Sequence, residues 1–141
     1  MAKISLEMFS KKYEYPVHWA EMDAARHVNN IIYLRWAETA RIDYFGEMGM
    51  DTGFNGEVGP ILGWQECKYI FPITYPDTAI VGIKATDIEE DRFMLECGIF
   101  SKKHERIAAF SKHLIIPYDY ISLKKTHLPE SWVKGLEAME A

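Results

Sequence analysis

The stretch NNIIYLRWAETARIDYFGEMGM, residues 29–50, decides the fold. It has no proline, and no glycine before Gly46, so nothing interrupts a helix running from Asn30 to Met48. Tyr33, Trp36, Ala37, Ala40, Tyr44 and Met48 recur at helical spacing. Ile31, Leu34, Ile42 and Phe45 spread the apolar character around nearly the whole circumference. A helix of that composition is expected to be wrapped by other structure, not laid on a surface.

The flanking sequence predicts what does the wrapping. Residues 13–19 alternate Tyr13, Tyr15, Val17 and Trp19 against Glu14, Pro16 and His18, the pattern of a strand. Residues 51–60 carry Gly53, Gly56 and Gly59 and predict a loop. Beyond it the apolar period shortens. Residues 61–71, 78–88, 92–100 and 107–116 predict four strands, separated by short turn signals that suit antiparallel neighbours. Pro129 then opens a last helix with Trp132, Val133, Leu136 and Met139 on one stripe. The fold class is therefore α+β: a five-stranded antiparallel sheet wrapped around a long central helix, with a C-terminal helix. Residues 1–141 fit a single domain. A sheet edge left open in such a domain invites pairing with a second copy.

Composition narrows the function. The net charge of -5 is spread along the chain, which excludes the clustered Lys and Arg of a nucleic-acid surface. The short basic run from Ser101 through Lys102, Lys103, His104 and Glu105 to Arg106 reads first as a solvated turn, and second as a contact for a phosphate on a small cofactor. Cys67 and Cys97 lack metal or redox spacing and read as reduced thiols of a cytoplasmic protein. No segment is apolar enough to span a membrane, and the N-terminus lacks the apolar core of a signal peptide.

Directly before the helix stands AEMDAARHVNN, residues 20–30. Asn29 or Asn30 suits the N-cap, and a helix start carries unpaired N–H groups and about half a positive charge. Such a site polarises a carbonyl oxygen, and Asp23 lies within reach as a base or nucleophile. That combination suits ester or thioester cleavage. A thiol leaving group with a pKa of about 8.5 needs little further help. The bland reading of the same residues is a set of caps and loop hydrogen bonds, and general principles favour it.

The run from Asp23, through Arg26, His27, Val28, Asn29, Asn30 and Tyr33, to Trp36 and Glu38 resembles the signature of the hotdog-fold thioesterases. It looks like the 4-hydroxybenzoyl-CoA thioesterase type, and the HVNN tetrad is also similar to plant acyl-carrier-protein thioesterases. The resemblance implies an acyl-CoA thioesterase that releases a free acid and coenzyme A, with a CoA or carrier-protein thioester as substrate. It implies Asp23 as the catalytic carboxylate and the Asn30 N–H as donor to the thioester carbonyl. His27 and the Asn30 side chain would position substrate or water, and Tyr33 would line or underlie the acyl pocket, with Asn29 beside it. It further implies a homodimer or homotetramer joined at sheet edges, and neither a metal nor a separate cofactor, since coenzyme A is part of the substrate. Arg26 departs from the glycine that many relatives carry three residues after the aspartate; it either reshapes the loop or adds a charge near the coenzyme A phosphates. Two other readings stay open: a non-catalytic acyl-thioester binding module, and a hydratase or dehydratase on the same fold.

The remaining polar and aromatic residues read as structure. Glu38 and Arg41, three residues apart, are expected to pair with each other or with backbone. Trp64 and Trp132 are expected in the core. Glu66 and Glu96 fall within strands, where period-2 alternation can put each on a solvated or interface face; a second catalytic acid on the sheet is the other reading.

Overall fold

The computed structural model describes residues 3–50 and 57–141. The long helix α1 is Asn30–Glu47. It begins where the Asn29 side chain accepts the Ile31 N–H at 3.3 Å. It ends where Gly49 turns left-handed, at φ 88°, and the Met50 N–H reaches back to the Phe45 carbonyl at 2.9 Å. The strands are β1 (Lys11–Pro16), β2 (Val58–Tyr69), β3 (Thr78–Thr86), β4 (Phe93–Ser101), β5 (Arg106–Asp119) and the two-residue β6 (Lys124–Lys125). Helix α2 (Glu130–Met139) closes the chain. The five long strands form one sheet of order β1-β3-β4-β5-β2, with every pairing antiparallel, and β6 extends the end of β5.

Period-2 alternation puts one face of this sheet against α1. Val81, Ile83, Phe93, Leu95, Cys97, Ile99 and Ile115 are sealed there. Ala37 and Ala40, both fully buried, let the helix approach the strands closely. Each large apolar side chain so enclosed contributes on the order of 1.5–3 kcal/mol. The C-terminal helix docks on the end of α1: a Cβ on Gly135 would stand 2.1 Å from the Met48 carbonyl oxygen, so glycine is required at that crossing.

Several expectations are corrected. The first strand starts at Lys11, ahead of Tyr13, and stops at Pro16; Trp19 opens a short 3-10 turn and is 71% exposed. Of the expected loop at 51–60, residues 51–56 lie outside the described residues and 58–60 belong to β2, because their backbone pairs with the end of β5. Helix α1 is apolar on most sides, yet Ile31 and Ile42 face solvent because the sheet covers one side and leaves another bare. Trp132 is buried as expected, whereas Trp64 lies on the outer face of β2, opposite α1, and is 46% exposed.

Candidate active site at the start of the central helix

A hairpin-like turn delivers the polar cluster to the helix. The Asn29 N–H donates to the Glu21 carbonyl at 2.9 Å, Met22 bridges Val28, and the Asp23 N–H donates to the His27 carbonyl at 2.8 Å. The Val28 N–H is held by the Ile73 carbonyl at 2.8 Å, which ties the turn to the segment after β2. At its tip the Asp23 carboxylate accepts the Ala25 N–H at 2.8 Å and the His27 N–H at 3.3 Å, so its direction is fixed. Arg26 takes φ 64°, the left-handed conformation that glycine adopts without strain. The loop is thus built around Arg26 at a local cost. Asp23, Arg26 and His27 are exposed together on this tip.

Asn29, Asn30 and Tyr33 form the second half of the site. Asn29 Oδ1 occupies the Ile31 N–H and the Asn29 carbonyl occupies the Ile32 N–H. Among the described residues no acceptor meets the Asn30 N–H. Beside it opens a cavity of about 280 Å³ lined by Val28, Asn30, Tyr33, Tyr69, Ile70, Phe71 and Pro72. Tyr33 is buried; its hydroxyl accepts the Ile73 N–H at 2.9 Å, and its ring meets Trp36 and Tyr69 edge-on at 5.4 Å each. Desolvation raises the pKa of the Tyr33 phenol. Asp23 and Arg26 line a neighbouring cavity of about 610 Å³ with Trp19, Ala20 and Met22. The two cavities share no lining residue, so the chain brings Asp23 and Asn30 onto one hairpin but not into one pocket.

Sequence reasoning missed Tyr69. Its hydroxyl donates to the Asn30 carbonyl at 3.0 Å, and desolvation pushes its pKa up to about 12. No local signal marks it: Tyr69 reaches the helix start only through the pairing of β2 with β5. Phe71 was missed as well. It carries the Arg106 guanidinium over its ring at 4.2 Å and meets His104 edge-on. The rest of the basic run is tied down as a turn: Lys102 pairs with Glu14 at 2.8 Å, while Asp77 accepts the Lys103 N–H at 2.9 Å and the Ser101 hydroxyl.

Further along α1 the expected Glu38–Arg41 pair is not formed. Arg41 turns inward instead and is 93% buried. Its Nη1 donates to His113 Nδ1 at 3.1 Å, which leaves the His113 Nε2–H for Ser111 Oγ at 2.8 Å. Desolvation first, and the Arg41 charge second, push the His113 pKa down to about 3, so its imidazole is neutral. Burial first, with smaller contributions from Cys67 and Glu96, pushes the Cys97 thiol up to about 12 against the opposing pull of Arg41 and Ser111, and burial raises Cys67. Glu66 and Glu96 stand on the outer face, in register with Lys112, and neither faces α1. Among the described residues no cluster of His, Cys, Asp and Glu has the form of a metal site, and no helix is long and apolar enough to cross a membrane.

A curled antiparallel sheet around one long helix, with a second helix closing the end, defines the hotdog fold. The chain belongs to the thioesterase-like superfamily, whose pattern it matches over residues 17–136. No curated protein sequence matches it. Solved structures do. A Pseudomonas aeruginosa protein is similar at a TM-score of 0.88 and 21% identity, over 99% of this chain and 98% of its own. A Thermus thermophilus thioesterase complexed with coenzyme A and zinc is similar at 0.82 and 23%, over 94% and 95%. A 1,4-dihydroxy-2-naphthoyl-CoA thioesterase from Synechocystis is similar at 0.81 and 19%, over 89% and 93%.

Proposed function

We propose that the protein hydrolyses an acyl-CoA thioester to a free acid and coenzyme A, with no bound metal or prosthetic group taking part. The observation that carries this reading is the Asn30 N–H, which has no acceptor among the described residues, on a residue that lines an aromatic-walled cavity. A thioester carbonyl laid on that N–H accepts from the positive end of an 18-residue helix. One such donor is worth about 3–4 kcal/mol to the developing oxyanion. Asp23 takes the proton of the attacking water or attacks the carbon itself. In the first case the water oxygen bonds to the carbonyl carbon, the C–S bond breaks, and the proton passes to the departing thiolate. His27 and the Asn30 side chain position water and substrate. Asn29 and Tyr33 shape the acyl side, and Arg26 meets the phosphates.

Because Asp23 and Asn30 line different cavities in one chain, the working unit in this reading is a homodimer, with a homotetramer as its further association. Strand β2 is one of the two edges of the sheet, and Leu62, Trp64 and Tyr69 stay exposed along it. Pairing β2 with β2 of a second copy joins the two sheets and walls the site. The 4-hydroxybenzoyl type named by the sequence motif, the CoA thioesterases among the structural relatives and the cavity's aromatic lining all favour an aryl or short acyl group, and the cytoplasm is where such esters are met.

The test is thiol release from short, long and aromatic acyl-CoAs by the protein and by its Asp23→Asn variant, both checked for fold and oligomer size. We expect turnover by the parent and a loss of about 10²–10⁴-fold in the variant, the range of a positioned acid or base. Tight binding without turnover would replace this reading with a binding module. Hydration of an enoyl thioester without thiol release would replace it with a hydratase.

A further inference from the structure

We propose that Arg41 is completed by Glu38 of a second copy, in two reciprocal pairs that lock the central helices of a dimer side by side. This rests on the β2-edge dimer proposed above and adds to it the residues that set its register.

The starting point is an unbalanced charge. The Arg41 guanidinium is 93% buried, its hydrogen-bond partner is a neutral imidazole, and among the described residues no carboxylate lies within ion-pair distance of it. A buried cation without a counter-charge is costly, and native structures pair it. Glu38, one turn earlier on the same helix, is exposed and has no salt bridge among the described residues.

The geometry of edge pairing supplies the partner. Antiparallel pairing of β2 with its own copy requires a two-fold axis perpendicular to the sheet, so both helices lie on the same face and run antiparallel. The flank of α1 that would meet the copy is the one toward β2. Arg41 marks that flank, because Gln65 of β2 approaches the same His113 Nδ1 at 3.0 Å. The opposite flank is marked by Asp43 and Glu47, which bind Tyr15 and Tyr13 of β1.

Along the β2 flank the positions 31, 34, 38, 41, 45 and 48 alternate spacings of three and four, the seam of a close-packed helix pair. They hold Ile31, Leu34, Glu38, Arg41, Phe45 and Met48. Every mirror-related pair of these shares the midpoint between residues 39 and 40. An antiparallel copy centred there sets Glu38 against Arg41 twice, and puts apolar side chains opposite one another at both ends. Centring at that level is consistent with the strand, since Gln65, level with Arg41, stands close to the middle of β2.

The experiment is sedimentation equilibrium on the full chain with Glu38→Lys and Arg41→Glu, each alone and mixed in equal amounts. Each single variant sets like charges together twice in its homodimer, and we expect its dissociation constant to rise at least about 30-fold. The mixture forms a heterodimer with both pairs restored, and its dissociation constant should return to within about 3-fold of the parent. A pair formed inside one chain gives no such recovery on mixing, and that outcome overturns the proposal. So does an unchanged dissociation constant in Glu38→Lys, which leaves the edge-paired dimer standing. A parent that stays monomeric at every concentration overturns the dimer and the pair together. If Arg41→Glu does not fold, Glu38→Gln and Arg41→Gln are combined instead. The double variant should then be no weaker than the weaker single, and additive losses would overturn the pair.

Discussion

The two flanks of α1 are built to different standards. On the side of β1, Tyr13 donates to Glu47 at 2.8 Å, Tyr15 donates to Asp43 at 2.7 Å, and Lys11 pairs with Glu47 at 3.3 Å. Tyr44 and Ser10 both donate to Glu140, which fastens α2 to the same side. On the side of β2, Arg41 has a neutral partner, Leu62 is 40% exposed, and Ile31 lies bare. The closed flank has satisfied its polar groups within one chain. The open flank has a charge without a counter-charge and exposed apolar side chains beside a strand edge, which a second copy would provide for. Function follows the same division, since Asn30, Tyr33 and Tyr69 stand at the open side.

The division is broken most directly at Leu62. The Leu62→Asp substitution puts a charge on the open flank, where water reaches it in the single chain but not in a dimer. We expect monomer stability to change by about 0.5 kcal/mol or less, and association to weaken by about 3 kcal/mol or more. Urea unfolding at low concentration and sedimentation at high concentration separate the two. Equal losses in both would mean that Leu62 belongs to the core of the single chain.

Acid titration sharpens the comparison. His113 sits beneath the open flank with its pKa held down to about 3 by burial and by Arg41, against 6.5 for the free side chain. Between those values the unfolded chain binds a proton that the native chain refuses. Stability is therefore whole above pH 6.5 and falls as the pH drops toward about 3. The His113→Gln variant, which does not titrate, should show a flatter acid limb in urea midpoints between those pH values. An unchanged slope would place the acid sensitivity elsewhere.

On the closed flank the expected effect is smaller. Tyr15→Phe removes one hydrogen bond to the exposed Asp43, which water then solvates. The cost should be about 1 kcal/mol in thermal unfolding, with no change in association. A change in association would mean that the β1 side also meets a partner.

The same division explains how much the sequence reveals. The bounds of α1, the four later strands and the terminal helix were legible because burial imposes a period, 3.6 on the helix and 2 on the strands. Asn29 and Asn30 were legible because a helix start needs caps. What stayed hidden depends on the far side of a contact. Arg41 and Glu38 read as an ordinary helical pair, and only the position of His113 on β5 shows that Arg41 turns inward. Trp64 read as core because aromatics dominate cores, but a one-residue irregularity between Leu62 and Trp64 shifts the β2 register and leaves it on the outer face. Tyr69 and Phe71 join the site through a long-range pairing of β2 with β5 that no local pattern announces.

Arg26 gives the finest test, because it sits where fold and binding pull apart. At φ 64° an arginine pays roughly 1 kcal/mol that a glycine avoids. Glycine also gains freedom in the unfolded chain, which returns part of the difference. Arg26→Gly should therefore stabilise the protein by a few tenths of a kcal/mol, on the order of a degree or two in melting temperature. If the arginine is kept for the phosphates of coenzyme A, the same variant should raise the KM for acyl-CoA several-fold, leave kcat nearly unchanged, and lose the salt dependence of KM. A stabilised variant with an unaltered KM would leave Arg26 with no binding role, and the strain at the tip of the turn would need another explanation, with the direction of the Asp23 carboxylate the first to examine.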